Sequence, residues 1–292
     1  YDMVMGGRRQ VGSTIKPFLY ALAMQNGMTP CTTLRNVQHS YGGWTPRNGS
    51  HARYGQQVPL KWALQHSNNW ISASLITTLG PQQFVGILHD FGLNNPDIDR
   101  NATPVLSLGP CEVSVGEMVS AYTAFANGGV RCAPLFVTKI EDSHGNVIAK
   151  FQPLMTEVIS EDNSYRMIDM MRAVIDGGTG SRLKGAYGMK GDICGKTGTT
   201  NSNSDGWFIA FTPELVSGAW VGGEDRDIHF DSTSLGQGAA AALPIWAYFM
   251  KKVYADHQLG YSDKPQFAIP KDFDFCSTSE DTDVNDIQEV YF

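Results

Sequence analysis

The residues that most invite chemistry are a serine and a lysine three apart, Ser13-Thr-Ile-Lys16. On a helix that spacing sets both side chains on one face, one above the other. A serine hydroxyl is a weak nucleophile until a base removes its proton. A lysine can be that base once its pKa falls. A helix N-terminus contributes to the fall, because its partial positive charge disfavours an ammonium. It also leaves N–H groups free near Ser13, suited to an oxyanion. Alone the pattern says little: average composition yields roughly one S-x-x-K by chance in a chain of this length.

Two further motifs change that weight. Ser67-Asn68-Asn69 falls at a corner between helical stretches. A hydroxyl there can relay a proton, and an amide can hold a peptide group through both donor and acceptor. By itself the tripeptide reads first as an ordinary turn with Asn at a helix cap. Lys196-Thr197-Gly198-Thr199 closes a strand. Its glycine admits another backbone closely, and a lysine with threonine hydroxyls beside the gap suits a carboxylate. The other reading is a strand end running into a polar turn over 200–204. The three motifs together, in this order and widely spaced, are much less readily accidental than any one.

The elements that must position them are legible in outline. Ile15, Phe18, Leu19, Leu22 and Ala23 share a face, which predicts a helix from Ser13 to about Asn26 with Pro17 in its first turn. Gly27 and Pro30 stop it. Residues 41–57, rich in Gly, Asn and aromatics, read as an ordered loop. Helices are predicted over Leu60–Gln65, Trp70–Thr78 and 82–91, with His66–Asn69 as a corner. Ser114 and Glu117 make a capping box for a helix to Ala126. Strands follow at Phe136–Glu141 and Val147–Phe151, then a helix over Asp162–Ile175. Three more strands are predicted at Asp192–Thr197, Gly206–Phe211 and Leu215–Val221, and a last helix over Ala239–Tyr254, kinked or truly started by Pro244. Helices, an antiparallel meander and a closing helix make an α+β chain with helices packed on a sheet.

With 42% hydrophobic and 17% charged residues among 292, the chain can bury a core. A net charge of -7 gives no basic face for nucleic acid. Most of that charge lies in Lys271–Phe292, which carries one base and seven acids and reads as a solvated acidic extension. No run of about 18 apolar residues is present, and there is no signal peptide. The five cysteines lack metal-ligand spacing, so no metal site is expected. Their odd number does not read as a disulfide framework and leaves the redox compartment open.

The same three motifs are the signature of penicillin-binding proteins and class A β-lactamases. The sequence resembles the transpeptidase domain of class A penicillin-binding proteins over about residues 8 to 250. The likeness is carried also by Arg9–Phe18, Trp44–Asn48, Leu60–Asn69, Leu106–Gly109, Glu117–Gly129, Gly178–Gly180 and Gly195–Pro213. It implies the penicillin-binding protein/β-lactamase-like serine acyl-transferase fold, with a transpeptidase domain over 1–260 and the extension over 261–292. Ser13 would attack the penultimate D-alanine carbonyl of a peptidoglycan stem peptide, release D-alanine and pass its acyl group to a neighbouring strand's amine. Lys16 would take the serine proton, Ser67 would pass one to the leaving nitrogen, and Asn69 would hold the substrate amide. Lys196, Thr197, Gly198 and Thr199 would bind the terminal carboxylate, and the N–H groups of Ser13 and Thr199 would form the oxyanion hole. β-Lactams would acylate Ser13. No cofactor is implied.

The family also carries a membrane anchor and a glycosyltransferase domain, neither of which is in this sequence, and works outside the cytoplasmic membrane. Its sheet begins with strands before the nucleophile helix. Only twelve residues precede Ser13 here, so the N-terminal strands are expected to be at least partly missing and one side of the sheet unpaired. Rival readings are a β-lactamase, for which no segment offers a water-activating carboxylate, a D-Ala-D-Ala carboxypeptidase, and a catalytically silent sensing or binding module. Cys194 reads as a small buried strand residue. His66 has no carboxylate to orient it. Trp207, Phe208 and Phe211 alternate as sheet packing. Trp44 and Tyr41 are candidates to line the cleft. Gly178–Gly180 follows a helix and so does not make a phosphate loop.

Overall fold

The computed structural model describes residues 1–277. A short strand, β1 (Arg8–Gln10), leads through a single 3₁₀ turn over Gly12–Ile15 into α1 (Lys16–Gln25). The predicted helix from Ser13 is therefore two pieces, with Ser13 on the 3₁₀ turn and Lys16 opening the α-helix. Pro17 stands in the first turn of α1, where no ladder donor is needed. Every residue from Lys16 to Met24 is buried. A helix without a polar face belongs at the centre of a core. There Phe18 meets Phe91, Tyr122 and Phe125 with ring centroids 5.0, 5.5 and 5.6 Å away.

Around α1 lie the paired strands β2 (Thr33–Arg35) and β3 (Gln57–Pro59), followed by α2 (Leu60–Gln65), α3 (Asn69–Leu79), α4 (Pro81–Asp90) and α5 (Pro96–Arg100). The corner between α2 and α3 is fixed by Asn68, whose side chain caps α3 by accepting from the Ile71 N–H at 2.9 Å. Next, β4 (Glu112–Ser114) pairs with β1 and runs into α6 (Val115–Ala126). The predicted Ser114–Glu117 capping box is formed at its start. Two small ladders then join β5 (Val130–Cys132) to β8 (Met155–Glu157) and β6 (Lys139–Glu141) to β7 (Val147–Lys150).

The long amphipathic α7 (Glu161–Gly177) and the short α8 (Arg182–Gly185) precede the main sheet. That sheet holds β9 (Cys194–Thr199), β10 (Asp205–Phe211) and β11 (Val216–Gly222), antiparallel in the order β11-β10-β9. Trp207, Ile209 and Phe211 of β10 pack into the α1 side of the core. Phe208 and Ala210 pack on the opposite side against α11 (Leu243–Ala255), which follows α9 (Thr233–Gly236) and α10 (Gly238–Ala241). The predicted closing helix is interrupted because Pro244 marks the true start of α11. The result is helix, sheet and helix layers, the expected α+β architecture. Among the described residues no strand pairs with the outer edge of β11.

From Asp256 the chain returns across the body. Phe267 packs edge-on to Phe211 with centroids 5.7 Å apart, and Arg166 donates to the Ser277 carbonyl at 2.8 Å. Cys276 forms a disulfide with Cys31, just beyond α1, with a Cα–Cα separation of 5.3 Å. Cys111, Cys132 and Cys194 remain free. Glu280, Asp281, Asp283, Asp286 and Glu289 of the acidic extension lie outside the described residues. Among the described residues no helix is long and apolar enough to cross a membrane, and no group of His, Cys, Asp or Glu residues is placed to hold a metal ion.

Candidate active site

Ser13 owes its position to Gly12. That residue has φ +53°, and a Cβ on it would stand 2.8 Å from the Thr199 carbonyl oxygen. Glycine both adopts the conformation and lets the turn lie directly on β9. On β9 itself, a Cβ at Gly198 would stand 2.8 Å from the Val11 carbonyl oxygen. The backbone that Gly198 admits is thus the one leading to Ser13. Gly198 lines neither of the cavities at the site, whereas Thr197 and Thr199 on either side of it do.

Lys16, Ser67, Asn69 and Lys196 form one connected network. Lys16 Nζ donates to Asn69 Oδ1 at 2.6 Å, to the Ser67 carbonyl at 2.7 Å and to Ser67 Oγ at 3.2 Å. Lys196 Nζ donates to the same Ser67 Oγ at 2.9 Å and to the Thr197 carbonyl at 3.0 Å. Ser67 has φ +52°, a conformation that non-glycine residues rarely adopt. It places the carbonyl and hydroxyl of one residue on one amine. Such strain persists where surrounding structure holds it, commonly at working sites.

Both lysines are fully buried, and neither forms an ion pair among the described residues. Burial lowers the Lys16 pKa well below the lysine range, and the charge of Lys196 lowers it further. Burial brings Lys196 down to about 7. A pair of amines on one hydroxyl therefore releases a proton readily, and an amine that does so has a lone pair for another hydroxyl. Ser13 Oγ makes no hydrogen bond among the described residues, and the three donors of Lys16 all meet Ser67 and Asn69.

Two cavities, of about 500 and 510 Å³, share Ser13, Asn69 and Thr199. The first adds Gln10, Trp44, Arg47, Val105 and Leu108. The second adds His66, Ser67, Thr179, Arg182, Thr197 and Gln237. Among the described residues no carboxylate lines either one. Of the two aromatics singled out for the cleft, Trp44 lines the first cavity, whereas Tyr41 is bridged to Trp44 through the backbone and lines neither.

Several contributors lie in segments that carry the family likeness but are given no role by it. Asn48 Oδ1 accepts from the Asn69 N–H at 2.8 Å, and the Arg47 carbonyl accepts from Asn69 Nδ2 at 2.7 Å. The loop over 41–57 thus holds both ends of Asn69. Thr179 shares a hydrogen with Thr197 between their hydroxyls at 2.7 Å, and its N–H donates to the Gln65 carbonyl at 3.2 Å. Thr179 so joins the end of α2 to β9. Among the residues set aside, Cys194 is buried, its thiol donates to the Ile168 carbonyl at 3.4 Å, and burial raises its pKa well above the thiol range. His66 borders the second cavity and lies against Trp62, with its pKa lowered by burial and by Arg53.

A family model described as penicillin-binding protein transpeptidase domain matches residues 2–221. Penicillin-binding protein 1A of Neisseria lactamica is 34% identical over 259 residues, covering 83% of this chain and 31% of that protein. The protein of the same description from Aquifex aeolicus is 35% identical over 262 residues, covering 87% and 34%. The chain thus spans about a third of the length of the curated relatives it matches. Among solved structures, penicillin-binding protein 1A from Haemophilus influenzae superposes with a TM-score of 0.80 at 27% identity, over 92% of this chain and 45% of that one. The imipenem acyl-enzyme complex of penicillin-binding protein A from M. tuberculosis shares the fold, with a TM-score of 0.71 at 21% identity over 86% and 62%.

Proposed function

The chain belongs to the penicillin-binding protein transpeptidase family, and from that premise we propose that it is a serine D,D-transpeptidase that cross-links peptidoglycan stem peptides and is acylated by β-lactams. The observation that carries this reading is the pair of buried lysines on Ser67 Oγ beside Ser13. Lys16, in its neutral form, takes the proton of Ser13 as Oγ bonds to the penultimate D-alanine carbonyl carbon. The tetrahedral oxyanion is held by the N–H groups of Ser13 and Thr199, each worth roughly 3–4 kcal/mol in other acyl-transfer sites. Collapse breaks the peptide C–N bond, and Ser67 delivers the proton relayed from Lys16 to the departing D-alanine nitrogen. An acceptor amine then attacks the ester, loses a proton to the same relay and leaves Ser13 free. Asn69 holds the donor amide. Lys196, Thr197 and Thr199 receive the terminal carboxylate, with Gly198 setting the strand beside the nucleophile.

That no carboxylate among the described residues lines either cavity supports slow hydrolysis of the acyl-enzyme, against the β-lactamase reading. Residues 1–260 serve as the transpeptidase unit and 261–292 as its extension. The Cys31–Cys276 bridge supports residence on the oxidising side of the cytoplasmic membrane. A membrane anchor and a glycosyltransferase domain belong to the full-length protein in this reading.

The test is intact mass after incubation with benzylpenicillin. The protein gains one stable adduct, and Ser13→Ala gains none. Adduct on the variant would remove Ser13 as nucleophile. Consumption of penicillin without an adduct would make the protein a hydrolase, and a folded protein that does neither would be a silent module.

A further inference from the structure

Asp205 is fully buried at the start of β10 and has no part in the mechanism above. Its carboxylate is bound from both sides of the nucleophile. Arg9 Nε donates to Oδ1 at 2.9 Å, and Trp220 Nε1 donates to the same oxygen at 3.1 Å. Thr200 Oγ1 donates to Oδ2 at 2.9 Å, and Arg226 stands 3.4 Å from that oxygen. The Asp205 N–H in turn donates to Thr200 Oγ1 at 3.0 Å. Arg9 is itself buried, lies 5.0 Å over the Trp220 ring and donates to the Glu224 carbonyl at 3.2 Å.

These partners lead straight to the two oxyanion donors. Arg9 is in β1, four residues before Ser13, and the intervening chain has little freedom. Gln10 is held by Trp207 Nε1 at 2.8 Å, the Val11 N–H donates to the Cys111 carbonyl at 3.2 Å, and the Gly12 N–H donates to the Gly109 carbonyl at 3.0 Å. Thr200 directly follows Thr199. One carboxylate therefore ties the segment that carries the Ser13 N–H to the segment that carries the Thr199 N–H. Gly12 and Gly198 let those two segments touch. A buried ion pair is a poor general stabiliser compared with apolar packing, so its presence here calls for a geometric role.

We propose that Asp205 is a positioning residue that sets the spacing of the Ser13 and Thr199 N–H groups, and so the strength of the oxyanion hole, through Arg9 and Thr200. This rests on the reading of Ser13 as the acylated residue. Misplacement of a reacting group by about 1 Å can cost roughly a hundredfold in rate. Both acylation and deacylation pass through an oxyanion at the same two donors, so both must slow together. A merely structural acid would lower stability without that pairing.

The experiment uses the penicilloyl-enzyme of the wild type, Asp205→Asn and Thr200→Val. Val253→Ala, buried in the last turn of α11 and lining neither cavity, serves as a control for lost stability. The asparagine amide has one accepting oxygen where the carboxylate uses two, so it cannot accept from Thr200 and from Arg9 and Trp220 at once, and it leaves Arg9 without its counter-charge. Thr200→Val cuts only the link to β9, keeps both charges and carries the test if Asp205→Asn fails to fold. The readouts are the ester carbonyl band in the infrared and the rate constants for acylation and deacylation. Weaker oxyanion-hole hydrogen bonds raise the carbonyl frequency. The expected result is a shift to higher frequency in both variants. Both rate constants should fall by comparable factors of about ten to a hundred in Asp205→Asn and less in Thr200→Val, with Val253→Ala unchanged in each readout. Folded variants that keep the wild-type band and rates while melting earlier would overturn the positioning role. A wild type without any ester band would overturn the reading of Ser13, and this role with it.

Discussion

At the residue scale, the proposed chemistry turns on two amines that share one hydroxyl. Lys16 and Lys196 both donate to Ser67 Oγ, and burial lowers the pKa of each. Since the charge of Lys196 adds to the depression of Lys16, the two titrate as a pair whose apparent steps belong to the pair. The sign is fixed by electrostatics. A like charge disfavours the ammonium, so removing it makes Lys16 harder to deprotonate. Lys196→Met, which keeps the bulk and loses the charge, should move the acid limb of the acylation pH profile to higher pH. It should also weaken binding of the substrate carboxylate. The rate of acylation by benzylpenicillin measured across pH in the two proteins checks this. An acid limb that stays in place would mean that burial alone sets the Lys16 pKa.

At the element scale, the site is assembled where α2, α7 and β9 meet. Gly178, just past α7, has a backbone that any residue can adopt, yet a Cβ there would overlap the Gln65 carbonyl oxygen at the end of α2 and stand 2.9 Å from Val174 Cα. Gly178→Ala should therefore push α2 and the Ser67 corner away from β9. Overpacking of this kind costs roughly 1–3 kcal/mol, and the displaced corner should slow acylation by about tenfold or more. Urea unfolding and stopped-flow acylation measure the two effects. A loss of stability with unchanged acylation would show that the corner is held from α3 instead. Much of this arrangement was legible in the sequence: the Ser114–Glu117 box and the alternation of Trp207 to Phe211 appear where expected, whereas the helix expected from Ser13 opens as a 3₁₀ turn and is buried on every side from Lys16 to Met24. The candidate site residues stood out because three motifs with specific chemistry stand in a fixed order, and Lys16, Ser67, Asn69 and Lys196 of those motifs meet in one network. What could not be read has a physical cause. Strands of three residues such as β1 and β4 carry no period, and a 3₁₀ turn differs from a helix start only by Gly12. Asn48, Thr179 and Asp205 act through tertiary partners 21, 18 and 196 residues away.

At the scale of the whole molecule, the segment after α11 closes the chain on itself. It crosses the core at Phe211, contacts α7 through Arg166 and ends in a disulfide to Cys31 across 245 residues. A cross-link of that span restricts the unfolded ensemble far more than the folded one. Cys31 lies shortly after α1 and before β2, so the bridge also fixes the loop by which the central helix leaves the core. Cys276→Ser should lower the free energy of unfolding by about 2–4 kcal/mol under oxidising conditions. The same substitution should change nothing once a reductant is present, because the wild type then unfolds at the variant's midpoint. Urea titrations with and without reductant provide the comparison. Acylation in native buffer should be unaffected, since neither cysteine lines the cavities beside Ser13. Coincident wild-type and variant midpoints under oxidising conditions would mean that the bridge adds no global stability, and would remove the argument that this domain is built for an oxidising compartment.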